Sequence, residues 1–268
     1  MPKLLKRTVK NLQGFVSAVE SVSGKWGADL EENGVAEMEL WYRGSISKKY
    51  SILPGAVWRK CDEVSMFHVF RAEAELYLGR LPRDEWGWYF AAQHYGLPTR
   101  LTDWSLSPLV ALYFAVCDPP AADAPCVWIM DAGTLNRMTC GIDAIFAAGL
   151  SFAANWLPSV VKEREQTTKF QHEDKKYDNS KPIAIYPQRT TPRIVAQQGV
   201  FTVHGIDSTP IEEIFAQAPK ELAHLACIEV TEPEHVRNQL RTFGINKFSV
   251  FPEVDKLSER IKGQYLTE

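Results

Sequence analysis

The run Ser107-Pro108-Leu109-Val110-Ala111-Leu112-Tyr113-Phe114-Ala115-Val116 limits the fold more than any other stretch of the chain. Proline fits the first turn of a helix but not its interior, so Pro108 marks a start. The residues that follow are apolar nearly all round, and a helix without a polar face must be enclosed by other elements. A chain of 268 residues, 45% of them apolar, can supply those layers within one core.

The candidate layers alternate in type. Leu12, Phe15, Val16 and Val19 recur at helical spacing between Val9 and Val22, and Gly24 and Gly27 are expected to end that helix. Glu37 to Arg43 alternates, with Met38, Leu40 and Tyr42 on one side and Trp41 and Arg43 on the other, as a half-buried strand does. Phe67, Phe70, Ala74, Tyr77 and Leu81 mark one helix between Cys61 and Pro82. Asp84 N-caps a second, which Gly96-Leu97-Pro98 stops near Tyr95. Strands are read at Cys126–Met130, Ile183–Tyr186, Val200–His204, Cys227–Val230 and Phe248–Phe251. Helices are read at Ile211–Ala216, Glu234–Phe243 and Val254–Ile261. Glu163 to Lys181, dense in charge, reads as an exposed loop. The expectation is a single α+β domain, a mixed or antiparallel sheet with packed helices, with 1–30 as an N-terminal helical segment and 31–268 as the main unit.

Several function classes fall away on composition. The formal charge of -3 gives no strong nucleic-acid footprint. No apolar stretch approaches the length of a membrane span, which together with the lack of a signal-peptide core points to the cytoplasm. Five cysteines without a C-x-x-C pair, and His172 and His204 without partners at ligand spacing, indicate no metal site. The phosphate-binding Walker loop, the G-x-G-x-x-G turn, the G-x-S-x-G elbow and the H-E-x-x-H helix are missing too.

Two segments carry candidate chemistry. Tyr42-Arg43-Gly44 ends a strand in an arginine whose planar fork suits phosphate or carboxylate, with a glycine that lets backbone approach a ligand. The competing reading pairs Arg43 with Glu39. The second segment is a short polar connection, Thr99-Arg100-Leu101-Thr102-Asp103-Trp104-Ser105, preceded by Gln93, His94 and Tyr95. His94 beside Asp103 has the pairing of an acid or base. The competing reading is a capping network, with Asp103 or Ser105 closing the next helix and His94 hydrogen-bonded to a carbonyl.

Trp41-Tyr42-Arg43-Gly44, the run Ala92 to Ser105, and Ser107 to Ala115 resemble the signature of the FRG domain. Gln197-Gln198-Gly199-Val200-Phe201-Thr202, Gly244-Ile245-Asn246 and Val250-Phe251-Pro252 are similar to its downstream motifs, so the likeness runs from about Trp41 to Ile261. The motif order also resembles the ADP-ribosyltransferase fold. That resemblance implies NAD or a related nucleotide as substrate, with no metal and an acceptor the sequence does not identify. It implies Arg43 on an NAD phosphate or ribose, with Tyr42 and Gly44 beside it, and Thr102 or Ser105 bracing the pocket. His94 and Arg100 would shape the pocket or meet the acceptor. The third element offers Gln198 where a glutamate is expected, leaving Asp103 to stabilise positive charge. The setting implied is a toxic effector in bacterial stress or phage defence. Two further readings stay open: a nucleotide- or protein-binding module without turnover, and a metal-independent ribonuclease using His94 with Arg100.

Overall fold

The computed structural model describes residues 5–32, 38–118, 123–163, 169–172 and 175–266. In chain order they form β1 (Leu5–Val9), α1 (Leu12–Glu32), β2 (Leu40–Ser45), α2 (Gly55–Arg59), α3 (Glu63–Glu73) and α4 (Glu85–His94). Then come β3 (Leu101–Ser105), α5 (Pro108–Val116), β4 (Cys126–Asp131), α6 (Ala132–Cys140), β5 (Phe146–Ala147) and α7 (Pro158–Glu163). Next are β6 (Lys169–His172), β7 (Lys175–Asp178), β8 (Ile183–Tyr186), α8 (Pro192–Ala196), β9 (Gly199–Val203) and α9 (Ile211–Ala216). The chain closes with β10 (Leu225–Val230), α10 (Pro233–Thr242), α11 (Lys247–Val250) and α12 (Val254–Tyr265).

Local signals explain the elements around the middle of the chain. The Asp84 carboxylate accepts from Gly87 N at 2.7 Å to start α4, and Gly96 leaves that helix at a φ of 92°. The Ser107 hydroxyl accepts from Val110 N, and Pro108 fills the first turn of α5. At the other end of α5, Arg237 Nε donates to the Val116 carbonyl at 2.7 Å, which satisfies a terminal acceptor from α10.

Six expectations need correction. Gly24 and Gly27 do not end α1, which runs to Glu32: each costs about 1 kcal/mol relative to alanine, but buried Val22 and Trp26 flank Gly24 and hold the helix on the core. Val9 belongs to β1 rather than to that helix. The helix from Cys61 stops at Glu73 with one 3₁₀ turn after it, leaving Tyr77 and Leu81 exposed. The polar connection Thr99 to Ser105 is largely strand β3. Phe248–Phe251 is not a strand, because Asn246 accepts from Phe248 N and Ser249 N while the Ser249 hydroxyl accepts from Asn246 N, a capping box that starts α11. Within the charged stretch after Glu163, β6 and β7 pair as an antiparallel hairpin with Phe170 buried. Glu37, expected on β2, lies outside the described residues.

Eight strands make one mixed sheet in the order β1-β10-β4-β2-β3-β9-β8-β5, with parallel pairs only at its two edges. Register and alternation put Tyr42, Ser105, Asp103 and Leu101 on one face. That face carries two separate cores. α1, α5 and α10 pack over β1, β10, β4 and β2, and α3 and α4 pack over β3, β9 and β8. The opposite face carries one continuous core, in which Trp41, Trp104 and Trp128 from three neighbouring strands join Val200 and Ala184 beneath α6 and α9. The whole is a single α+β domain. Among the described residues no helix is long and apolar enough to cross a membrane.

Candidate functional site

The sheet has a seam. β2 pairs with β4 from Leu40 to Ser45, and β3 pairs with β9 from Leu101 to Ser105, yet β2 and β3 meet only at Tyr42 and Ser105. Past that bridge the facing backbones of the two strands lack a shared ladder, and their polar groups need other partners. Arg43 Nη1 supplies one, donating to the Asp103 carbonyl at 2.7 Å. Gly44 keeps this end of β2 pressed against α5. A Cβ there would lie 2.1 Å from the Ala111 carbonyl oxygen and 2.6 Å from Ala115 N. The glycine thus admits a helix backbone on that face, where the sequence suggested a ligand.

Above the seam, between α4 and α5, opens a cleft of about 440 Å³. Tyr42, Gly44 and Ser105 form part of its floor, and Phe90, Phe114 and Phe201 supply apolar wall. Arg43, Asp103, Gln93, His94 and Arg193 bring polar groups to it. Gln93 Nε2 donates to Asp103 Oδ2 at 3.0 Å, and the Thr99 hydroxyl donates in turn to Gln93 Oε1, so a relay through α4 orients the one carboxylate in the lining. Burial pulls the Arg43 pKa down, Asp103 opposes that, and an arginine remains a cation throughout. Burial and the Arg193 charge both hold His94 below its ordinary pKa, which leaves it neutral at pH 7. Its ring meets Tyr95 edge-on at 4.8 Å rather than the Asp103 carboxylate.

A second, open cleft of about 220 Å³ shares Arg43, Gln93 and Asp103 with the first and is bordered by α2. Thr102 lines this one. The two clefts therefore flank the same three side chains.

The other residues singled out by sequence take different places. Ser105 is buried; its hydroxyl donates to the Gln197 carbonyl at 2.7 Å and accepts from Ser107 N, so it ties β3 to α8 and α5. Arg43 does not pair with Glu39, whose carboxylate instead accepts from Trp41 Nε1 and the Tyr186 hydroxyl. Arg100 lines neither cleft. Its guanidinium is spent on Glu63 and on the Gly205 carbonyl, while its backbone N–H donates to Glu63 Oε1 at 2.6 Å. His94 and Arg100 are thus not brought together. Gln198 is exposed, with a left-handed φ of 47°, and its neighbour Gln197 lines the larger cleft instead.

Sequence reasoning missed Tyr50, Arg193, Trp58 and Arg59. Arg193 stacks over Phe251 at 4.7 Å, and Phe251 meets Phe114 edge-on at 5.6 Å, a chain of contacts joining segments far apart in sequence. Nothing periodic announces such a meeting. Trp58 and Arg59 sit on a five-residue helix too short to show a pattern. Among the described residues no group of three or more His, Cys, Asp or Glu side chains could hold a metal ion.

Residues 38–124 match the family model of the FRG domain. The likeness read over Trp41 to Ile261 is thus matched over its first part, which holds Arg43, Gln93, His94 and Asp103 but not Arg193 or Gln197. No curated protein and no solved structure gives a significant match to the chain.

Proposed function

We propose that this chain, with an FRG-domain match spanning both strands of its seam, binds NAD or a closely related dinucleotide there and cleaves the nicotinamide–ribose bond. The observation that carries the reading is the seam itself: a cation, Arg43, and an oriented carboxylate, Asp103, stand where two half-sheets part. Arg43 takes a phosphate of the ligand through its planar fork. The aromatic wall of Phe90, Phe114 and Phe201 receives the nicotinamide ring. As the C1′–N bond breaks, the bonding electrons leave with neutral nicotinamide and the ribose gains positive charge, which the Asp103 carboxylate stabilises. Neutral His94 accepts the proton from the attacking water or acceptor hydroxyl and passes it to solvent. The products are nicotinamide and ADP-ribose, free or attached to the acceptor. Tyr42, Gly44 and Ser105 act through position, as floor and helix spacing.

A second reading, binding without turnover, has an observation in its favour. The Asp103 carboxylate already accepts from Gln93, and the turn that leads from α8 into β9 brings one amide, Gln197, rather than an acid to the cleft.

One experiment separates the two. Purified protein is incubated with NAD, alone and with cell extract, and nicotinamide release and label transfer are followed by mass spectrometry. Release that Arg43→Ala or Asp103→Asn abolishes supports catalysis. Intact NAD recovered with the protein, bound in wild type and lost in Arg43→Ala, supports the binding module. Neither release nor binding overturns both.

A further inference from the structure

We propose that the smaller cleft is a nucleobase subsite, in which a 5′-nucleotide unit stacks its base on Trp58 and sets its phosphate against Arg43 and Arg59. The proposal adopts the nucleotide reading of the seam, but its test does not need turnover or NAD.

Trp58 is 59% exposed beside a cleft, although α2 does not need it for anchorage. That helix is held by buried Ala56, whose N–H donates to the Thr99 carbonyl at 3.0 Å. An indole kept in water on a rigid short helix is a stacking platform, since every base offers a π-face to it. The Arg59 guanidinium lies 4.5 Å from the ring centre, which adds a cation to the stack. Arg43 and Arg59 face one carboxylate, Asp103, which is itself engaged by Gln93, so the cleft favours an anion.

An independent observation comes from Thr102. Its side chain is 2% exposed and its hydroxyl has no hydrogen-bond partner, although it lines this cleft. A buried hydroxyl without a partner is costly in a folded protein, and a ligand offering a polar edge would satisfy it. Aromatic face, paired cations and an unsatisfied hydroxyl are together the recognition set for a base with its phosphate. A volume of about 220 Å³ is small for a whole dinucleotide and suits one nucleotide unit.

That unit has two possible sources: the adenosine half of a dinucleotide threaded past Arg43, or a separate nucleotide. Calorimetric titration with AMP, adenosine and inorganic phosphate, each with and without saturating NAD, distinguishes them. AMP displaced by NAD identifies the first source; AMP binding unchanged beside NAD identifies the second, as it does if NAD itself does not bind. Trp58→Ala is expected to weaken AMP by at least about fivefold. Thr102→Val should weaken AMP while leaving the urea midpoint unchanged or higher, because it removes a hydroxyl that has no partner in the free protein. Both variants remove surface or isosteric groups, and circular dichroism confirms their folding. No AMP binding at millimolar concentration, or AMP binding indifferent to both substitutions, overturns the subsite even if nicotinamide release is found.

Discussion

The two faces of the sheet solve the same covering problem differently. On one, Trp128, Trp41 and Trp104 from the adjacent strands β4, β2 and β3 share a single apolar layer that runs on to β8. On the other, the helices divide into two groups, and the space between them is the larger cleft. The ladder between β2 and β3 is nearly absent, so the continuous face holds the halves together while the divided face leaves the gap open. The continuous core and the open cleft thereby lie on opposite sides of adjacent residues: Trp41 points one way, Tyr42 the other, and Arg43 ends at the opening.

The hardest way to break this comparison is through those neighbours. Trp41→Ala is expected to cost about 3–5 kcal/mol in urea unfolding, as loss of a large aromatic from a packed core does. Arg43→Ala should cost less, about 1.5–3 kcal/mol, the worth of one hydrogen bond from a charged donor. Equal losses would show that the seam is structural after all.

A pH series tests the region just past β9. His204 is fully buried, and burial holds its pKa down at about 4, with the Thr209 backbone and the Asp207 charge opposing the effect and Arg100 adding to it. An unfolded histidine binds its proton near pH 6.5, so the unfolded state is the first to be protonated as pH falls. The stability linked to His204 is complete above about pH 6.5 and lost between there and about pH 4, to the extent of about 3 kcal/mol. Urea unfolding of His204→Phe should be less acid-sensitive than wild type by that order; identical profiles would exclude the histidine as the cause.

Gly44→Ala probes how tightly α5 is set against β2. The added methyl meets the backbone of Ala111 and Ala115, which cannot rotate away, and overpacking of this kind costs about 1–3 kcal/mol. Ligand binding at Arg43 should fall together with stability. The smallest effect is expected at Gln198, where a left-handed φ strains any residue with a Cβ. Gln198→Gly should raise stability by up to about 1 kcal/mol without altering ligand binding. A loss of binding would return this side chain to the site.

What could be read in the sequence was what local chemistry decides. Asp84, Gly96 and Ser107-Pro108 fix the ends of α4 and α5 through bonds to residues three or four positions away. The apolar runs of β4, β8 and β10 announce buried strands. β3 was obscured because its polar residues mark the seam rather than a turn: Thr102, Asp103 and Ser105 sit on a central strand whose far neighbour has pulled away. The site was legible only in part for the same reason. Arg43 and Asp103 stand out as residue types, but Arg43 reaching the Asp103 backbone, or Gln93 rather than His94 taking its carboxylate, depends on a register between strands that no spacing in the chain reports. Arg100, equally prominent in the motif, was drawn instead into a half-buried ion pair with Glu63.

The interrupted ladder also links occupancy to endurance. A molecule lodged between β2 and β3 touches both half-sheets at once and stands in for the bonds they do not make to each other. Such a guest adds its binding free energy to the native state alone, about 2.7 kcal/mol when present at a hundredfold over its dissociation constant. The melting temperature then becomes a sensor of what the cell offers this protein, able to sort a nucleotide library before any reaction has been observed.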